Sequence, residues 1–103
     1  MNRIEKLKEM LAADQEDSFL LHALGLEYSK LGEDETARDY FQRVLLVNPN
    51  YVGTYYHLAK LLERIGNEQE AIQVYEKGME VAKSAGDQHA YGELRGAWEE
   101  LTL

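Results

Sequence analysis

The sequence predicts an all-α protein: about six helices, paired as antiparallel hairpins that stack into an α-solenoid. Three observations carry this. Apolar residues recur at intervals of three and four, the period of a helix with one buried face. Gly32, Pro49, Gly66 and Gly86, residue types that end helices, punctuate the chain at hairpin-sized intervals. Residues 18–51 also superimpose on residues 52–85 at a constant offset of 34, placing Leu24 on Leu58, Gly32 on Gly66, Ala37 on Ala71 and Phe41 on Tyr75.

The elements follow in order. A first helix is expected over 3–13, with Asn2 and Glu5 as a capping box and Ile4, Leu7 and Leu11 on one face. A second, over 18–31, starts at an Asp17 or Ser18 cap and carries Leu20, Leu21, Leu24, Tyr28 and Leu31. Gly32 ends it in a left-handed turn. A third, over 34–47, places Ala37, Phe41, Val44 and Leu45 inward, and Pro49 stops it because proline lacks a donor and disfavours helical geometry at Asn48. A fourth, over 51–65, begins at an Asn50 cap and carries Tyr55, Leu58, Leu62 and Ile65. A fifth, over 68–85, starts at an Asn67/Glu70 capping box and buries Ala71, Val74, Tyr75 and Met79. A sixth, over 88–101, follows an Asp87 cap. The short links between them suit packed hairpins.

The positions shared by the two copies resemble the tetratricopeptide repeat, a resemblance that implies a right-handed superhelix. That pattern asks for a bulky residue, then Leu, a small residue and Tyr or Leu. Here it is Leu21, Leu24, Gly25 and Tyr28, then Tyr55, Leu58, Ala59 and Leu62. It continues through Gly32, Ala37, Phe41, Val44 and Pro49, and through Gly66, Ala71, Tyr75 and Gly78, until Lys83 stands where proline belongs. The physical sense is independent of the name. Small residues let the two helices of a hairpin approach, and Phe41 and Tyr75 are expected to fill the wedge between neighbouring hairpins, since a lone hairpin cannot bury its apolar faces. The flanks read as partial repeats. One domain, 1–103, would then comprise a half-repeat helix (1–17), repeats 18–51 and 52–85, and a capping helix (86–103) whose Tyr91, Leu94 and Trp98 echo Tyr55, Leu58 and Leu62 at an offset of 36.

Composition narrows the function. Eleven Lys and Arg against nineteen Asp and Glu leave a net charge of −8, which repels phosphate backbones and anionic lipid heads. Neither nucleic acid nor membrane is expected as a partner; a basic or neutral protein fits better. There is no cysteine, hence no disulfide or thiolate chemistry. Charges interrupt every turn of residues 1–17, unlike a signal peptide, and no stretch approaches the ~18 apolar residues of a membrane span. A cytoplasmic location is the expectation.

No nucleophile elbow, phosphate-cradling loop or HExxH motif is present, so no enzyme activity and no cofactor are expected. His22, His57 and His89 fall on the first helices of successive hairpins. Packed helices lie ~8–10 Å apart, whereas zinc needs nitrogens at ~2.0–2.1 Å, so no metal is expected either. The resemblance instead implies a concave groove, lined by the first helix of each hairpin, that holds a peptide segment of a partner protein. By register its lining includes Phe19, His22, Ala23, Leu26 and Lys30, then Tyr56, His57, Lys60 and Arg64, then His89, Glu93 and Gly96. Tyr56, His57 and Phe19 would supply contact, and Lys60 and Arg64 charge. The family's carboxylate clamp for chaperone tails does not carry over: Leu26 replaces its Asn, and His89 and Glu93 replace its cations. The alternative is an assembly subunit acting through its ends. Trp98 either folds back as a cap or joins Tyr91 and Leu94 in a homodimer contact.

Overall fold

The structure is a computed structural model that describes residues 2–103. The described residues form six α-helices: α1 (Arg3–Ala13), α2 (Ser18–Lys30), α3 (Asp34–Val47), α4 (Val52–Arg64), α5 (Glu68–Ala85) and α6 (Gln88–Thr102). They divide into two compact units, residues 2–48 with α1–α3 and residues 49–103 with α4–α6. The all-α class and the hairpin pairing are as the sequence predicts. No helix among the described residues is long and apolar enough to cross a membrane.

In the first unit, α2 and α3 form a hairpin and α1 lies on α2. Asn2 Oδ1 accepts the Glu5 N–H (2.8 Å) and Asp17 Oδ1 the Leu20 N–H (3.0 Å), each satisfying a donor that a helix start leaves orphaned. Leu7 and Leu11 are the buried residues of α1. Its exposed side is tied down by an Arg3–Glu27 ion pair (3.3 Å) and by Lys8, whose ammonium sits 5.5 Å from the Tyr28 ring centroid. Tyr28 in turn stacks on Tyr40 of α3, with rings 8° apart in plane.

The hairpin turns at Gly32, where φ is +76°. There the Glu33 N–H donates to the Tyr28 carbonyl and the Gly32 N–H to that of Ser29, the paired bonds of a Schellman end. A Cβ placed on Gly25 would lie 2.5 Å from the Phe41 ring. The ring therefore occupies a seat that only glycine leaves open, inside its own hairpin. Asn48 ends α3 outside helical geometry (φ −147°, ψ 83°), as expected before Pro49.

In the second unit, α4 and α5 form the hairpin and α6 packs chiefly on α5 and also touches α4. Tyr51, not Asn50, occupies the cap position of α4, and no side chain caps it. The entry is fixed instead by the buried Tyr55, whose hydroxyl donates to the Pro49 carbonyl (2.6 Å). The α4–α5 turn repeats the Schellman bonds around Gly66, thirty-four residues on. Asn67 departs from the expected capping box. Its amide donates to the Glu70 carboxylate (3.0 Å) and makes no side-chain cap bond. Tyr75 is fully buried and its hydroxyl donates to Glu63 Oε2, a bond Phe41 cannot make in the first copy. With Lys83 in place of a proline, α5 runs for 18 residues against 14 in α3, and Gly86 (φ +72°) ends it. Asp87 then caps α6 through the Ala90 N–H (3.0 Å).

Candidate functional site

A polar hollow lies in the second unit, between α4 and α6. Its origin is Gly78 on α5. A Cβ there would stand 2.6 Å from the Tyr55 Cβ of α4 and 3.1 Å from Leu94 Cδ1 of α6. Both side chains thus pack on bare backbone, which brings α4 and α6 within reach of each other. Above this floor Val52, Gly53, Tyr56 and His57 face Ala90, Glu93 and Leu94 across a pocket of about 240 Å³. The residues come at helical spacing from each side, so one face of each helix supplies a wall.

The wall on α4 is aromatic and basic. Tyr56 and His57 meet edge-on, with ring centroids 5.8 Å apart. Lys60 Nζ lies 5.7 Å from the Tyr56 centroid and 3.7 Å from Glu63 Oε2, so this cation already has partners within α4. The wall on α6 carries Glu93, paired with His89 at 3.6 Å. Neighbouring atoms crowd the His57 ring, although the residue as a whole stays exposed. This desolvation lowers its pKa from the ordinary 6.5, and the Glu93 charge opposes the shift.

The structure therefore brings Tyr56, His57 and Lys60 together, with His89 reaching them through Glu93. Arg64 is exposed in the last turn of α4. In the first unit, Phe19 is 61% exposed on α2, Leu26 is half-buried, and His22 turns its ring toward Phe41 at 5.7 Å. Of the residues set aside for self-association, Leu94 is buried as the floor of the pocket. Tyr91 lines a second hollow of about 300 Å³ with Ala82, Lys83, Gly86, Asp87 and Gln88. There the Asp87 carboxylate is already engaged in capping α6. Trp98 is half-buried and its Nε1–H donates to Glu76 Oε2 of α5 (3.1 Å).

Register finds Tyr56, His57 and Glu93 but not Val52, Gly53 or Ala90. Their signal is the helical phase they share with Tyr56, His57 and Glu93, readable only once α6 is known to face α4. Among the described residues no three His, Asp or Glu side chains are placed to hold a metal ion, and no buried side-chain polar atom lacks a partner.

Two tetratricopeptide repeat family models match the chain, one over residues 18–51 and one over residues 40–73. A tetratricopeptide repeat-containing protein of Pseudomonas aeruginosa is 32% identical over 91 residues, covering 88% of this chain and 87% of that protein. The crystal structure of a tetratricopeptide repeat domain protein from Salinibacter ruber is 39% identical, with a TM-score of 0.78 over 82% of this chain and 94% of that one. PcrH, solved in complex with the chaperone binding region of PopD, is similar in fold alone. Its TM-score is 0.89 over 96% of this chain and 75% of that one, at 17% identity.

Proposed function

The chain belongs to the tetratricopeptide repeat family, and on that premise we propose that it is a non-catalytic binding module that captures a peptide segment of a partner protein. The observation that carries this reading is the α4–α6 pocket, where Tyr56 and His57 stand over an apolar floor. Tyr offers a large rigid surface at small entropic cost, which suits a contact residue. At about 240 Å³ the pocket is below the roughly 300–1,000 Å³ of cofactor and drug-sized sites, and fits a side chain of a longer ligand better than a small molecule. Phe19, His22 and Leu26 hold the corresponding helix of the first unit and would add contacts there. A similar fold in PcrH accommodates a partner segment, which supports the class of ligand and not its identity.

The test is affinity capture with the wild-type chain and with a Tyr56→Ala/His57→Ala variant, whose helix content is checked by circular dichroism. Loss of a captured partner by a folded variant supports the reading. Equal capture by both moves the working surface elsewhere.

A further inference from the structure

We infer that the α4–α6 pocket selects a peptide in which a bulky apolar residue is followed by Lys or Arg, with Glu93 as the residue that recognises the cation; this rests on the peptide-binding reading above. The apolar half comes from the floor. Leu94 is 1% exposed, and Val52, Ala90 and the side-chain-free Gly53 complete a lining that offers contact and no hydrogen bond. A bulky aliphatic side chain gains most by leaving water there.

The basic half comes from charge accounting at the rim. Of the two permanent cations on α4, Lys60 is matched by Glu63 and by the Tyr56 ring, and Arg64 sits in the last turn, outside the pocket lining. The carboxylate on α6, Glu93, pairs with the exposed His89, an imidazole and not a permanent cation, and its charge also acts on the His57 ring across the pocket. The rim thus holds an acceptor whose partners are imidazoles and not permanent cations, in a chain of net charge −8. A Lys or Arg of the ligand supplies that charge, and a charge-assisted bond to Glu93 sets its place beside the apolar anchor. A carboxylate at the same place would meet Glu93 and be rejected.

The experiment uses the whole chain and a panel of short Gly/Ser host peptides carrying Leu-Lys, Leu-Arg, Leu-Ser, Leu-Glu or Ala-Lys at the centre. Binding is followed by chemical-shift changes in the amides of α4 and α6. Leu-Lys and Leu-Arg are expected to bind about tenfold more tightly than Leu-Glu and to shift Tyr56, His57 and Glu93 together. In Glu93→Gln the preference should shrink to about twofold, and in Glu93→Lys it should reverse to Leu-Glu. Glu93 is exposed, so neither change threatens the fold. Equal binding of all Leu peptides overturns the basic selectivity and leaves the peptide-binding reading intact. Binding of Ala-Lys as tight as Leu-Lys overturns the apolar anchor. Tightest binding of Leu-Glu overturns the inference in favour of Lys60 and His57. No shift with any peptide removes both the inference and the pocket on which it rests.

Discussion

Glycine at position 25 is not a spacer. Its would-be Cβ lies 2.5 Å from the Phe41 ring, and that ring is fully buried and has nowhere to retreat. Gly25→Ala should gain up to ~1 kcal/mol in helix propensity and lose ~1–3 kcal/mol to overpacking, a net loss. Gly96 is also helical, but open space surrounds its would-be Cβ. Gly96→Ala keeps only the favourable half and should stabilise by ~0.5–1 kcal/mol. Urea denaturation with unchanged m-values checks both signs. His57 supplies a pH prediction. Its folded pKa lies below the ordinary 6.5 because desolvation disfavours the charged form. The unfolded chain therefore binds more protons in that window, so the His57 contribution is complete above about 6.5 and declines as pH falls through the folded value. An NMR titration should place the His57 midpoint below that of an unperturbed imidazole. In Glu93→Gln it should fall further, because the opposing charge is gone.

At the level of elements, the helix starts differ in what holds them. Asp87 accepts the Ala90 N–H, whereas the Asn67 side chain is spent on Glu70. Asp87→Ala should cost ~1 kcal/mol, within the 0.5–2 kcal/mol range of lost caps, and Asn67→Ala clearly less. Thermal unfolding of the two single variants gives the comparison, and equal losses would show that Asn67 supports its helix by another route. The same contrast explains what was legible in the sequence. Six helices and their stops were readable because period, glycine and proline act locally. The Asn67/Glu70 pair matched a capping pattern, but two side chains so placed can bond each other as well as the backbone, and spacing alone does not choose. Lys83 in the place of a proline was visible, and its consequence, the longer α5, follows from the missing stop. For the site, register on α4 gave Tyr56 and His57. The floor did not follow, because Leu94 reaches the pocket only through the bare backbone of Gly78, a contact across three helices.

At the scale of the whole molecule the decisive quantity is charge. A net −8 on 103 residues sets up a negative field that is felt before any contact forms. On the proposed reading a basic peptide would be drawn in by that field and then held by Glu93, and the two effects separate by salt and by kinetics. The field is screened over ~10 Å at 0.1 M salt and over ~3 Å at 1 M, so the association rate of a Leu-Lys peptide should fall steeply, by about tenfold, between about 50 and about 500 mM NaCl. Its dissociation rate, set by contacts within the pocket, should change by less than about twofold. Glu93→Gln removes one of nineteen acidic residues and leaves most of the field in place. That variant should keep nearly the same salt slope while dissociating faster. Stopped-flow measurement of both rates for both proteins tests this. A wild-type dissociation rate that rises with salt as steeply as the association rate falls would mean that long-range charge, and not a seated cation at Glu93, holds the peptide.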